Sequence, residues 1–170
     1  VDPPRNPASG VMKSDDAFSE FNTAISTLSM PTLEGPTPPT IFICGTPRSG
    51  TTYLYQLLSF VGDVGYISNL VARFAENPVL GIRLSQALNL TKIYSGISKF
   101  GLTHDLSEPH EFGKGWSHIL TRNAVLQPDP HAPLSSKSVG DIEQIARTFD
   151  LPTVFKSFAY QWSIDELSQA

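Results

Sequence analysis

The chain has 170 residues, enough for one domain with a substantial core and too few to require two. Its 40% hydrophobic and 16% charged residues give a globular composition that argues against wholesale disorder. A net charge of −4 argues against nucleic acid as a bulk partner, which needs a basic surface, and leaves room for a locally basic pocket.

No apolar run reaches the roughly 20 residues needed to span a bilayer, and no signal peptide is visible. The single cysteine, Cys44, cannot close an internal disulfide, so nothing implies an oxidising compartment and a cytoplasmic location is expected. Asn89-Leu90-Thr91 fits the glycosylation pattern, a three-residue match of low specificity.

In chain order, Val1 to Gly10 carries three prolines and no periodicity, which reads as a loose arm. A helix is expected from Ser14, with Ser14 as cap and Phe18, Phe21, Ile25 and Leu28 at heptad-like spacing. The stretch PTLEGPTPPT, residues Pro31 to Thr40, reads as a linker because proline cannot donate to a helix or a ladder. Residues 1–40 are thus expected as arm, helix and linker, and 41–170 as part of a single α/β domain.

Ile41 to Cys44 is a continuous apolar run, the pattern of a strand buried on both faces of a parallel sheet. After a glycine-flanked turn, Leu54, Leu57, Leu58 and Val61 recur at helical spacing. Asn77-Pro78 is a helix start, followed by Leu80, Leu84, Ala87 and Leu88 on one side. Trp116, Ile119, Leu120 and Ala124 predict another helix, ending before the proline-rich stretch from Gln127. The next runs from Ser138, as cap, to Phe149, with Ile142, Ile145, Ala146 and Phe149 on one face, and leads into a second buried strand at TVFKS. The alternation predicts a three-layer α/β fold around a mostly parallel sheet.

The turn carries the chemistry. From Gly45 the spacing is Gly-x-x-x-x-Gly-Thr-Thr, a phosphate-loop pattern in which Thr51 stands where lysine is usual. The glycines let backbone N–H groups converge on an anion, and the helix N-terminus that follows adds its positive end. Arg48 restores the missing cation inside the loop, with a forked donor set that stays charged.

GTPRSGTT resembles the 5′-phosphosulfate loop of sulfotransferases that use 3′-phosphoadenosine 5′-phosphosulfate (PAPS), in which Pro-Arg/Lys-Ser-Gly-Thr-Thr follows a hydrophobic strand. The resemblance implies a sheet of the phosphate-loop nucleotide hydrolase and sulfotransferase type, and PAPS as co-substrate. Cofactor contacts would come from Gly45, Pro47, Arg48, Ser49, Gly50, Thr51 and Thr52. Arg48 would stabilise charge as the sulfuryl group leaves. Sulfuryl transfer involves less charge than phosphoryl transfer, so no metal is expected; no strand ends in a magnesium-holding aspartate. The histidines show no metal-ligand spacing with one another or with Cys44.

One branch of the family ends the strand after the acceptor region in Lys-Thr-His. Here the comparable place reads Lys156-Ser157-Phe158, so Lys156 would hold the leaving phosphate and the general base must lie elsewhere. SEPHEFGKGW supplies candidates in Glu108, His110 and Glu111 beside aromatic residues, with Glu111 first and His110 second. The plainer reading of that cluster is solvated polar residues at a helix start. Arg73 is either an acceptor contact or a surface ion-pair partner. The acceptor, a hydroxyl or amine on a small molecule, carbohydrate or lipid, is not specified by the residues. The resemblance covers about the first half to two-thirds of such a domain. The arginine–serine segment for the 3′-phosphate has no counterpart after Lys156, so a sheet incomplete at its C-terminal side is expected, as is a fragment inactive alone. The other readings are a phosphate-loop kinase or nucleotide-binding protein, and a truncated, non-catalytic anion-binding module.

Overall fold

A computed structural model describes residues 14–46, 48–98, 102–120, 134–157 and Leu167, with side chains from residue 19 onward. The N-terminal arm, Pro47, Ala124, the proline-rich stretch from Gln127 and Phe158 lie outside the described residues. Helix α1 (Ser14–Ile25) precedes β1 (Thr40–Ile43), α2 (Thr51–Val61), β2 (Gly65–Tyr66), α3 (Asn69–Ala72), α4 (Pro78–Ala87), α5 (Gly113–Ile119), α6 (Ser136–Phe149) and β3 (Thr153–Lys156). The three strands form an all-parallel sheet in the order β1-β3-β2, with Ile43 opposite Lys156 and Tyr66 opposite Val154. None of the described helices is long and apolar enough to cross a membrane.

Strand alternation divides the core between the two faces of the sheet. Ile43 and Val154 point to one face and pack with Tyr55 and Leu58 of α2. Phe42 and Phe155 point to the other, where they stack at 5.4 Å and meet Trp116, Ile142 and Ile145 from α5 and α6. Trp116 stands edge-on to Phe155, with ring centroids 5.3 Å apart. Helix, sheet and helix are therefore stacked in three layers.

All four residues of β3 are buried, as befits the central strand. By contrast β1 is only half-buried, with Ile41 45% exposed, and departs from the expectation of a strand covered on both faces. Among the described residues its ladder partner is β3 alone.

The caps explain where several helices begin. Asn77 accepts from Leu80 N–H ahead of Pro78, as its sequence position predicts. In α6 the capping serine is Ser135, three residues before the expected one, and it accepts from Ser138 N–H at 3.0 Å. Ser138 is instead buried and donates to the Ile119 carbonyl, tying α6 to α5.

Helix α2 buries only part of the expected leucine face: Leu58 packs in the core and Leu57 is half-buried. Tyr55, Gln56 and Ser59 are its buried residues, while Leu54 and Val61 are exposed. Each buried polar group has a partner: Tyr55 donates to the Ile67 carbonyl, Gln56 to the Ile97 carbonyl, and Ser59 to the Tyr55 carbonyl. Satisfied in this way, they can occupy the interior without the full desolvation cost.

The proline-rich stretch is held against the domain. Leu33 N–H donates to Gln144 Oε1 at 2.8 Å, Gln144 Nε2 donates back to the Leu33 carbonyl at 3.0 Å, and Arg147 donates to the Gly35 carbonyl. Helix α1 docks through Ile25, which packs with Leu70 and Phe74.

Candidate functional site

Parallel strands bring their carboxyl ends to one edge of the sheet, which is where ligands bind in open α/β folds. At that edge β1 leads to residues 44–46 and 48–50 and then α2, and β3 ends in Lys156. Two residues of the turn take left-handed backbone: Arg48 at φ 70° and Gly50 at φ 85°. Gly50 does so without a Cβ penalty, whereas for arginine the conformation is uncommon. The turn closes with Ser49 N–H donating to the Thr46 carbonyl at 3.2 Å, and Leu54 N–H returns to Gly50 as α2 begins. Gly45 packs where a Cβ would lie 2.8 Å from both Ser49 Oγ and Thr51 Cγ2. Thr46, Arg48, Ser49 and Gly50 are exposed, and Thr51 and Thr52 are half-buried.

Lys156 shares a sheet face with Val154, toward α2, by simple alternation. Its ammonium, although the side chain is nearly buried, contacts Thr52 Oγ1 at 3.2 Å and forms an ion pair with Glu111. Three residues far apart in sequence therefore meet beside the loop.

Glu111 reaches this point because the preceding segment is clamped to the end of β2. Pro109 bridges Ser68, His110 N–H donates to the Ile67 carbonyl at 2.8 Å, and Tyr66 donates its hydroxyl to the Ser107 carbonyl at 2.8 Å. Asn69 ties the start of the segment through Thr103 and the Asp105 carbonyl.

Glu108 has a structural place that its sequence context does not reveal. It is buried and accepts from the N–H groups of Ser95, His104 and Asp105 and from the Ser95 hydroxyl. Burial alone would push its carboxyl up, yet these bonds outweigh it and hold the group below the ordinary range. It fastens residues 95 and 104–105 beneath the segment carrying Glu111.

His110 accepts from Phe112 N–H through Nδ1 at 2.8 Å, so its neutral form carries the proton on Nε2. Burial keeps the imidazole below its usual pKa, opposed by Glu111 and assisted by Arg73. The ring thus caps the left-handed turn at Phe112, φ 57°, that starts α5. It is poorly arranged to take a proton, whereas Glu111 presents a carboxylate at Lys156. Arg73 lies at the end of α3 and is exposed.

Among the described residues no group of three or more His, Cys, Asp or Glu side chains could hold a metal ion. Comparison with known protein families, curated proteins and solved structures found no match to this chain.

Proposed function

We propose that this chain carries the donor-binding part of a sulfotransferase that moves the sulfuryl group of PAPS to a hydroxyl or amine acceptor. The observation that carries the reading is the meeting of Lys156, Glu111 and Thr52 beside an anion-loop sequence at the carboxyl edge of a parallel sheet.

In this reading the loop N–H groups and the Ser49, Thr51 and Thr52 hydroxyls bind the 5′-phosphate, with Gly45 and Gly50 allowing close approach. Arg48 and Lys156 carry the charge that develops on the leaving phosphate. Glu111 takes the acceptor proton while the acceptor oxygen or nitrogen attacks sulfur in line. The bond from sulfur to the bridging oxygen breaks, and 3′-phosphoadenosine 5′-phosphate leaves with the electron pair. The sheet would then belong to the phosphate-loop type.

Titration calorimetry of the chain with 3′-phosphoadenosine 5′-phosphate, against ATP with Mg²⁺, tests this. Magnesium-independent binding that is lost in Arg48→Ala is the expected result. A preference for ATP with Mg²⁺ would replace it with a phosphoryl-transfer reading, and binding of neither would remove the reading.

A further inference from the structure

Resting on that reading, we propose that Glu111 is the resident counter-ion of Lys156 and is displaced by the donor anion, and that this exchange frees the carboxylate to act as base.

The two partners are unequally placed. The Lys156 side chain is 2% exposed and that of Glu111 28%. A lysine so enclosed cannot fall back on water when its partner leaves, and a buried charge without a counter-charge is strongly unfavourable. Glu111 sits at the rim and can be rehydrated. Of the pair, then, the carboxylate is the one able to depart, and only when another anion arrives to replace it.

The replacement has a prepared approach. Thr52, the second residue of α2, already touches the ammonium at 3.2 Å. An oxyanion seated on residues 45–52 would present an oxygen beside Thr52, within reach of a flexible four-carbon stem. While bound to Lys156, the Glu111 carboxylate is engaged by the ammonium and is not presented to an acceptor. Once released, its oxygens are free to meet the acceptor at the moment the donor is in place. The same substitution neutralises the donor and activates the acceptor.

Competition gives the test its sign. An ordinary positioning carboxylate strengthens anion binding, whereas a competing one weakens it. Glu111→Gln, Lys156→Met and the double variant would be titrated with 3′-phosphoadenosine 5′-phosphate and, separately, inorganic sulfate, by calorimetry and thermal shift. Glu111→Gln is expected to melt lower without anion and to bind both anions about fivefold or more tightly than the parent chain. The double variant is expected to lose that gain. Equal or weaker binding by Glu111→Gln would overturn the exchange while leaving the sulfotransferase reading intact. Tighter sulfate binding with no binding of the nucleotide would support the exchange and remove that reading. Binding of neither anion by any variant would overturn both. Should Glu111→Gln fail to fold, Glu111→Asp withdraws the carboxylate from Lys156 and carries the same expected sign.

Discussion

Arg48 holds a backbone conformation that suits glycine better than arginine. Such conformations persist where the surrounding structure over-determines them. Arg48→Gly is therefore expected to leave stability unchanged or raise it by up to about 1 kcal/mol. The same variant is expected to lose anion affinity; denaturant midpoints and calorimetry read the two effects separately. Gly115 shows the opposite constraint, since a Cβ there would lie 2.0 Å from the Phe112 ring. Gly115→Ala is expected to cost about 1–3 kcal/mol through overpacking, seen as a lower melting temperature. Two titrating residues contribute to the acid side of the stability curve. His110 and Glu108 both have folded pKa values below their ordinary 6.5 and 4.5, so the unfolded chain binds more protons and stability falls as pH drops. The His110 loss begins as pH falls through 6.5, and the Glu108 loss as it falls through 4.5. Urea midpoints against pH are expected to flatten in the upper window for His110→Gln and in the lower one for Glu108→Gln.

At the scale of elements, what could be read from the sequence was whatever is fixed locally. Asn77-Pro78 marks a helix start because cap and first turn need no distant partner. The strand at residue 41 is legible as a continuous apolar run, and the one at residue 153 as TVFKS after the Asp150-Leu151-Pro152 turn. The buried face of α2 was hidden: Leu54 and Leu57 outweigh Tyr55, Gln56 and Ser59 in any count of apolar spacing. The carbonyls that satisfy Tyr55 and Gln56 belong to other segments. The cap of α6 slipped by three residues because Ser135, Ser136 and Ser138 are alike in sequence, and only the tie from Ser138 to Ile119 separates them. Ser135→Ala is accordingly expected to cost about 0.5–2 kcal/mol in a denaturant titration. Of the site, the loop stood out as a motif and Lys156 and Glu111 as candidates. Their contact was not legible, because it depends on a clamp between β2 and residues 103–110 that no spacing encodes.

For the whole molecule, the linker is a second hinge of stability. Residues 31–39 have no helix or strand of their own, and two reciprocal bonds between Gln144 and Leu33 hold them on α6. Gln144→Ala is expected to cost about 1–2 kcal/mol and to speed proteolysis between Met30 and Pro39 relative to cuts elsewhere. Helix α1 has its own dock, in Ile25 against Leu70 and Phe74 and in the Asn77 amide that donates to the Ile25 carbonyl, and is expected to stay in place.

The pairing of Thr52 with Lys156 spans 104 residues and that of Glu111 with Lys156 spans 45. The turn and the first coils of α2 can form from neighbours in the chain, but their lysine arrives only when β3 inserts between β1 and β2. Closure of so long a loop is a slow step, because its entropy must be overcome before the contacts reward it. The meeting of Thr52 and Glu111 with Lys156 is therefore expected to form late in folding, and its appearance in time would mark the moment the central strand locks.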